Sequence, residues 1–69
     1  MQESVCVMGL GYIGLPTASV LATQGYDVLG VDVKPEIVKT INEGKIHIVE
    51  PDLDALVQNA VSSGQLRAA

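Results

Sequence analysis

The chain has 69 residues, 48% of them hydrophobic and 17% charged, with a formal net charge of −4. This balance is typical of a folded interior, and four Lys and Arg residues give no basic surface for a nucleic acid. One cysteine excludes an internal disulfide and favours a cytoplasmic protein, and with one histidine it makes a structural zinc site implausible. The N-terminal sequence has neither a basic leader nor an apolar run of membrane-spanning length, so we expect no membrane segment.

The first two elements are a strand and a helix joined by glycines. The apolar run from Ser4 to Met8 ends abruptly at glycines, which predicts a strand buried on both faces of a parallel sheet. From Tyr12 to Gln24 the pattern is helical, and Gly25 follows where a C-terminal cap is expected. Pro16 is tolerated in the first turn, where N–H groups have no partner within a helix. The residues recurring on one face of this helix are Ile13, Thr17, Val20 and Leu21.

A second strand and a second helix follow. The run from Asp27 to Val33 is apolar and β-branched, and a helix separates it from the first strand, which predicts a βαβ unit with parallel strands. The next helix is predicted from Pro35 to Glu43, with Gly44 as its stop. Its apolar face should hold Ile37, Val38 and Ile41, with Lys34 and Lys39 in solvent.

The last part of the chain predicts a third helix and the start of a third strand. Pro51 opens this helix and Gly64 ends it, and a third strand should begin near Leu66. Asp52 and Asp54 lie in its first turn, where we interpret them as capping residues. The apolar residues follow the i, i+3, i+4, i+7, i+8 pattern of one helix face, namely Leu53, Leu56, Val57, Ala60 and Val61.

The motif with chemical content is the glycine loop between the first strand and the first helix. Gly9, Gly11 and Gly14 have GxGxxG spacing, and Asp32 lies 18 residues after Gly14 at the end of the second strand. A predicted strand precedes the glycine loop, a predicted helix follows it, and an acidic residue ends the next strand. This is the context of a dinucleotide-binding motif. The candidate NAD-binding residues are therefore Gly9, Leu10, Gly11, Tyr12, Ile13, Gly14 and Asp32.

Each part of the motif has its own physical role. Gly9 allows a sharp turn, Gly11 lets a pyrophosphate approach the backbone, and Gly14 lets the helix pack closely on the strand. The N–H groups near Tyr12 and Ile13 are the expected pyrophosphate donors. The alternative is a tight βα turn without a ligand.

Asp32 is the candidate for selecting the cofactor. A carboxylate there would accept hydrogen bonds from the adenosine ribose hydroxyls and repel a 2′-phosphate, which favours NAD over NADP. Lys34 is a nearby cation that leaves this preference ambiguous. Asp32 could instead cap the helix that begins at Pro35, and the two roles could coexist.

Other polar residues offer weaker candidates. Cys6 has apolar neighbours in the first strand, where we expect an inert thiol that fills the core. His47 has no second ligand or base nearby in the sequence, so we expect a surface or hydrogen-bonded structural role. Glu50 is interpreted as a cap of the third helix. We assign no catalytic and no metal-binding residue.

The amino-acid sequences of these motifs resemble those of the nucleotide-sugar dehydrogenases that oxidise UDP-glucose, GDP-mannose and UDP-N-acetylhexosamines. VMGLGYIGLPTA resembles the family's first βα turn, and VDVKPEIVKTINEG resembles its second strand and helix. The run IHIVEPDL looks most like the branch that acts on UDP-N-acetyl-D-mannosamine, whereas UDP-glucose enzymes typically have EPGL there. By this resemblance Tyr12, Ile13 and Asp32 are the NAD contacts.

The resemblance implies a two-step oxidation of the sugar C6 hydroxyl to a carboxylate with two NAD, in a homo-oligomeric protein. The family's catalytic cysteine and lysine lie beyond residue 69, so residues 1–69 are expected to be the N-terminal, incomplete part of a Rossmann-type α/β NAD-binding domain. The UDP-sugar would bind through the remainder of the chain. Another UDP-sugar, a non-catalytic nucleotide-sensing module and a flavin or methyl-donor enzyme are the alternatives.

Overall fold

A three-stranded parallel sheet with helices organises the protein, whose computed structural model describes residues 3–69. The strand order is β1-β2-β3, and both neighbouring pairs are parallel. This confirms the Rossmann-type α/β fold with a βαβ start, and the third strand begins at Leu66 as expected. The elements are β1 (Ser4–Met8), α1 (Gly14–Thr23), β2 (Asp27–Val31), α2 (Pro35–Asn42), α3 (Leu53–Ser62) and β3 (Leu66–Ala68).

Four elements are shorter than the sequence predicts. One is α3, which begins at Leu53 and not at Pro51, because residues 51 and 52 form a turn before the helix. β2 ends at Val31, which pairs with Met8, the last residue of β1. After Met8 the β1 chain turns away at Gly9, so β1 offers no pairing residue beyond Val31. α1 begins at Gly14, later than the predicted start at Tyr12, because residues 11–13 form the turn that leads into the helix. α2 ends at Asn42, one residue before the predicted end.

The helices cover only one face of the sheet. Burial alternates along every strand, and the covered face includes the fully buried Val28 and Leu66. Connections between parallel strands have one hand, so both crossovers place their helices on the same side. Within residues 3–69 the prediction that β1 is buried on both faces is therefore wrong, and Cys6 is exposed instead of filling the core. The residues that line the open face include Ser4, Cys6, Asp27, Leu29 and Arg67.

The buried side of α1 also differs from the predicted one. Ile13 is 83% exposed and Val20 is 46% exposed, and Thr17 is exposed as well, so the predicted apolar face is wrong at these positions. Leu21, the remaining member of that face, does pack against the core. Small residues let a helix approach a sheet closely, and the buried Ser19 hydroxyl is satisfied by donating to the Leu15 carbonyl at 2.9 Å. The buried residues of α1 are Leu15, Ala18, Ser19 and Ala22.

The predicted apolar faces of the other two helices are confirmed. On α2, Ile41 is fully buried, and Ile37 and Val38 pack against the core. Lys34 and Lys39 are exposed, as expected. On α3 the buried residues are Leu53, Val57 and Ala60, with Leu56 and Val61 packed beside them.

The end of α2 is bonded to the edge of the sheet. The Asn42 side-chain amide donates to the Ala68 carbonyl at 2.9 Å, and its oxygen accepts the Ala68 N–H at 2.8 Å. One side chain thus satisfies both outward-facing backbone groups of Ala68, as a neighbouring strand would. Among residues 3–69 no helix combines the length and apolar character needed to cross a bilayer.

Candidate functional site

The glycine loop lies at the carboxyl end of β1, between the sheet and α1. Gly9 has φ +90°, a left-handed conformation that glycine adopts without strain, and its N–H donates to the Val31 carbonyl at 2.7 Å. A Cβ on Gly14 would overlap the Gly9 carbonyl oxygen, whereas a Cβ on Gly11 would have nothing within 4 Å. Gly14 thus allows close helix packing, while open space faces Gly11.

The turn before α1 presents unused hydrogen-bond donors. Within residues 3–69, the backbone N–H groups of Gly11, Tyr12 and Ile13 have no hydrogen-bond partner. The side chain of Tyr12, like that of Ile13, is largely exposed. Free N–H groups at a helix N-terminus carry positive partial charge, so the turn is suited to an anion such as a pyrophosphate.

Asp32 lies one residue after β2 and faces the glycine loop. Its Oδ2 accepts the Leu10 N–H at 2.9 Å, and its Oδ1 accepts the Lys34 N–H at 3.0 Å. Lys34 is the N-cap residue of α2. The carboxylate therefore links the glycine loop to the start of α2. The helix-capping alternative is correct in part, because Asp32 bonds the backbone of the cap residue.

These two bonds also set the charge of Asp32. The backbone N–H of Leu10, and next that of Lys34, lower the pKa of Asp32 below its ordinary value of 3.8, because both hydrogen bonds favour the charged form. A carboxylate has about four lone-pair positions, so two remain for other donors. Asp32 is thus an oriented anion with the capacity to accept two ribose hydroxyls.

Leu10 contributes to the site through its backbone. Its side chain is fully buried, and its N–H is already bonded to Asp32. The side chain packs against Gly30 in β2, where a Cβ would lie 2.6 Å from the Leu10 Cδ2. Gly30 is not among the site residues that the sequence predicts. The signal was present, because glycine is unfavourable inside a strand and often marks a close approach.

The remaining candidates have different surroundings from those expected. The His47 Nδ1 is buried and has no hydrogen-bond partner among residues 3–69, so the expected hydrogen-bonded role is absent at that atom. Within the same residues no three His, Cys, Asp or Glu side chains are grouped closely enough to hold a metal ion. His47 nevertheless lies near enough to Asp32 to interact electrostatically with its carboxylate.

The acidic residues at the start of α3 act less as caps than predicted. Asp52 is the N-cap residue, with φ 66°, but its side chain makes no capping bond. Glu50 contributes its backbone carbonyl, which accepts the Leu53 N–H at 3.2 Å, so the prediction of a side-chain cap is wrong. Only the Asp54 carboxylate bonds an N–H of the first turn, that of Ala55 at 2.9 Å.

The arrangement at the carboxyl edge of the sheet fits a dinucleotide. Free N–H groups and the open space at Gly11 suit a pyrophosphate, and the ionised Asp32 beside them suits a ribose diol. Gly9 makes the sharp turn that the motif predicts at its first glycine. The residues present are thus the complete set of groups that the motif predicts.

Comparison with known proteins agrees with this geometry. Residues 3–69 match the family model described as the UDP-glucose/GDP-mannose dehydrogenase family, NAD binding domain. An NDP-N-acetyl-D-galactosaminuronic acid dehydrogenase of Ralstonia nicotianae is 63% identical over 96% of this chain and 16% of its own length. A UDP-N-acetyl-D-mannosamine dehydrogenase of Campylobacter jejuni is 59% identical over the same shares.

A solved structure gives the same result. The UDP-D-ManNAc dehydrogenase of Pyrococcus horikoshii superposes with a TM-score of 0.93 at 46% identity, over 97% of this chain and 16% of that one. The chain thus spans about 16% of the length of the curated relatives that it matches. It belongs to the UDP-glucose/GDP-mannose dehydrogenase family, and its cofactor is NAD.

Proposed function

We propose that this chain holds NAD for a nucleotide-sugar 6-dehydrogenase that converts UDP-N-acetyl-D-mannosamine to UDP-N-acetyl-D-mannosaminuronate. The observation that supports it best is the 2.9 Å bond between the Leu10 N–H and the Asp32 carboxylate. This bond places the acid beside a loop with free N–H groups. Pyrophosphate donors and a ribose acceptor are thus adjacent, as a dinucleotide requires.

The proposed binding roles follow from the groups that remain available. The N–H groups of Tyr12 and Ile13 bind the pyrophosphate, and Gly11 leaves room for it. Asp32 accepts the adenosine ribose hydroxyls with its two unused lone pairs. A 2′-phosphate would meet an ionised carboxylate at that place, so NAD binds in preference to NADP.

The proposed reaction is an oxidation with NAD as the oxidant. Converting the C6 hydroxyl of a sugar to a carboxylate removes four electrons and takes one oxygen from water, so each sugar reduces two NAD. No residue among 1–69 is assigned to this chemistry. We place the catalytic groups and the UDP-sugar pocket in the remainder of a longer, homo-oligomeric, cytoplasmic protein.

The choice of sugar rests on two lines of support. The run IHIVEPDL resembles the mannosamine branch, and the C. jejuni relative is named for UDP-N-acetyl-D-mannosamine. The R. nicotianae relative is named for an N-acetylgalactosaminuronic acid. UDP-glucose and other UDP-sugars are therefore the alternatives to be compared directly.

A substrate panel tests the proposed reaction. The full-length protein is incubated with NAD and, in turn, UDP-N-acetyl-D-mannosamine, UDP-N-acetyl-D-galactosamine and UDP-glucose, while NADH absorbance is followed. We expect the highest kcat/KM for the mannosamine sugar, with two NADH formed per sugar. A faster reaction with another sugar would reassign the substrate, and NAD binding without any reduction would favour a nucleotide sensor.

A binding measurement tests the role of Asp32. We expect Asp32→Ala to raise the Kd for NAD about tenfold or more, the scale of losing hydrogen bonds to a charged group. The variant should also lose its preference for NAD over NADP. Glu43→Gln, which removes an exposed carboxylate at the end of α2, is the matched control and should bind NAD normally. Unchanged affinity in Asp32→Ala would refute the ribose assignment.

A further inference from the structure

Gly30 occupies an unfavourable place for a glycine. It lies inside β2, the central strand, paired with Val7 on one side and Ala68 on the other. A glycine there loses more conformational freedom on folding than any other residue and contributes no side chain to the sheet. A central strand normally has β-branched or aromatic residues, so the glycine needs a local explanation.

The explanation is the Leu10 side chain. A Cβ on Gly30 would lie 2.6 Å, 3.0 Å and 3.3 Å from the Cδ2, Cδ1 and Cγ atoms of Leu10. Leu10 is fully buried, so its side chain has no solvent space into which to move. Leu10 therefore occupies the volume that any side chain at position 30 would need.

Leu10 also connects this packing to the ligand-binding groups. Three consecutive positions, residues 30 to 32, contact the glycine loop. Gly30 packs against the Leu10 side chain. The Val31 carbonyl accepts the Gly9 N–H at 2.7 Å, and the Asp32 carboxylate accepts the Leu10 N–H at 2.9 Å. Raising Leu10 away from Gly30 would move its N–H away from Asp32. The depth at which Leu10 packs thus controls the alignment of the loop with the carboxylate.

We infer that Gly30 is a positioning residue for NAD, which acts through Leu10 on the distance between the glycine loop and Asp32. The inference rests on the proposed ribose role of Asp32. Gly30 itself touches no ligand in this arrangement. Its effect belongs to cofactor binding, because the affected groups hold the cofactor.

The experiment uses Gly30→Ala in the full-length protein, with NAD binding measured by calorimetry and activity measured with saturating sugar. We expect the Kd and KM for NAD to rise about tenfold, as for a lost hydrogen bond to a charged group, while kcat at saturating NAD changes little. Leu10→Val in the same chain removes the Cδ atoms and should restore most of the affinity. A double variant that binds better than Gly30→Ala alone supports the coupling.

Two controls separate positioning from general destabilisation. Val57→Ala removes volume from the same core through α3, which has none of the site residues, and should lower the Tm without changing the Kd for NAD. Asp32→Ala in the same assay tests the proposed function on its own. If Asp32→Ala weakens binding but folded Gly30→Ala binds as the wild type, only the present inference is refuted.

A second comparison tests the same coupling in case the Gly30→Ala protein does not fold. If Gly30→Ala fails to fold, the Leu10→Val/Gly30→Ala protein still has room for the new methyl group and is compared with Leu10→Val alone. We expect the two to bind NAD equally well. Weak binding by the double variant, with a normal Tm, would overturn the inference.

Discussion

Asp32 combines an observed structural role with the ribose-binding role proposed for it, in one carboxylate. Its two oxygens each accept one backbone N–H, from Leu10 and from Lys34, and each keeps a further lone pair. A side chain that is held before the ligand arrives loses little conformational freedom on binding. The fixed orientation of Asp32 therefore favours tight binding of a ribose diol.

The lowered pKa of Asp32 makes a prediction about acid stability. Because the folded-state pKa lies below the ordinary 3.8, the unfolded chain binds more protons in this range. The stabilisation is complete above pH about 3.8 and is lost as the pH falls towards the folded-state pKa. Asp32→Asn lacks this titration, so its stability should converge on that of the wild type in acid.

Urea unfolding between neutral pH and pH about 3 measures this difference. The gap in the free energy of unfolding between wild type and Asp32→Asn should be constant near neutral pH and shrink below pH about 4. Glu43→Gln, with no such bonds, is the control. A gap that stays constant down to the most acidic sample would contradict the role of the two backbone bonds.

At the scale of elements, the strand–loop–helix unit was predictable because its signals are local. Glycine spacing, the apolar run before it and the helical pattern after it lie within adjacent residues, and all appear in the structure. The packing of Leu10 on Gly30 and its bond to Asp32 join positions about twenty residues apart, so no local pattern reveals them. The buried side of α1 was missed because three of its four buried residues, Ala18, Ser19 and Ala22, are small and give no strong apolar signal.

Gly11 and Gly14 should separate binding from folding. Gly14→Ala places a methyl group against the Gly9 carbonyl, which cannot move cheaply, so we expect a loss of about 1–3 kcal/mol in stability. Gly11→Ala meets open space and should change stability by no more than about 0.5 kcal/mol. It should nevertheless weaken NAD binding, since the methyl group occupies the approach to the backbone.

Thermal unfolding and NAD titration of both variants provide the measurement. The expected pattern is a lowered Tm for Gly14→Ala and a normal Tm with weak NAD binding for Gly11→Ala. If Gly11→Ala bound NAD as tightly as the wild type, the pyrophosphate would have to lie elsewhere.

At the scale of the whole molecule, the three helices found in residues 3–69 all lie against one face of the sheet. Cys6 belongs to the open face, together with Leu29 and Arg67. Sequence alone predicted a buried β1, because an apolar run does not reveal how many layers cover it. Within residues 3–69 both crossover connections lie on one side of the sheet, so the helices of this segment cover that face alone.

The thiol of Cys6 reports directly on this open face. The test treats the 69-residue chain with an aromatic disulfide reagent, under native conditions and after denaturation. Because Cys6 is exposed, we expect its thiol to react at comparable rates in the two samples. Cys6→Ser should abolish the signal. Protection of the thiol until denaturant is added would mean that the face is covered in solution.

The Asn42 amide makes one edge of the sheet less available than the other to a further strand. β1 and β3 are both edge strands, but the outward N–H and C=O groups of Ala68 in β3 are already bonded to Asn42. A strand approaching from that side would have to displace an intramolecular partner before it gained its own. Ladder extension is therefore favoured beside β1, and the same amide disfavours edge-to-edge aggregation through β3.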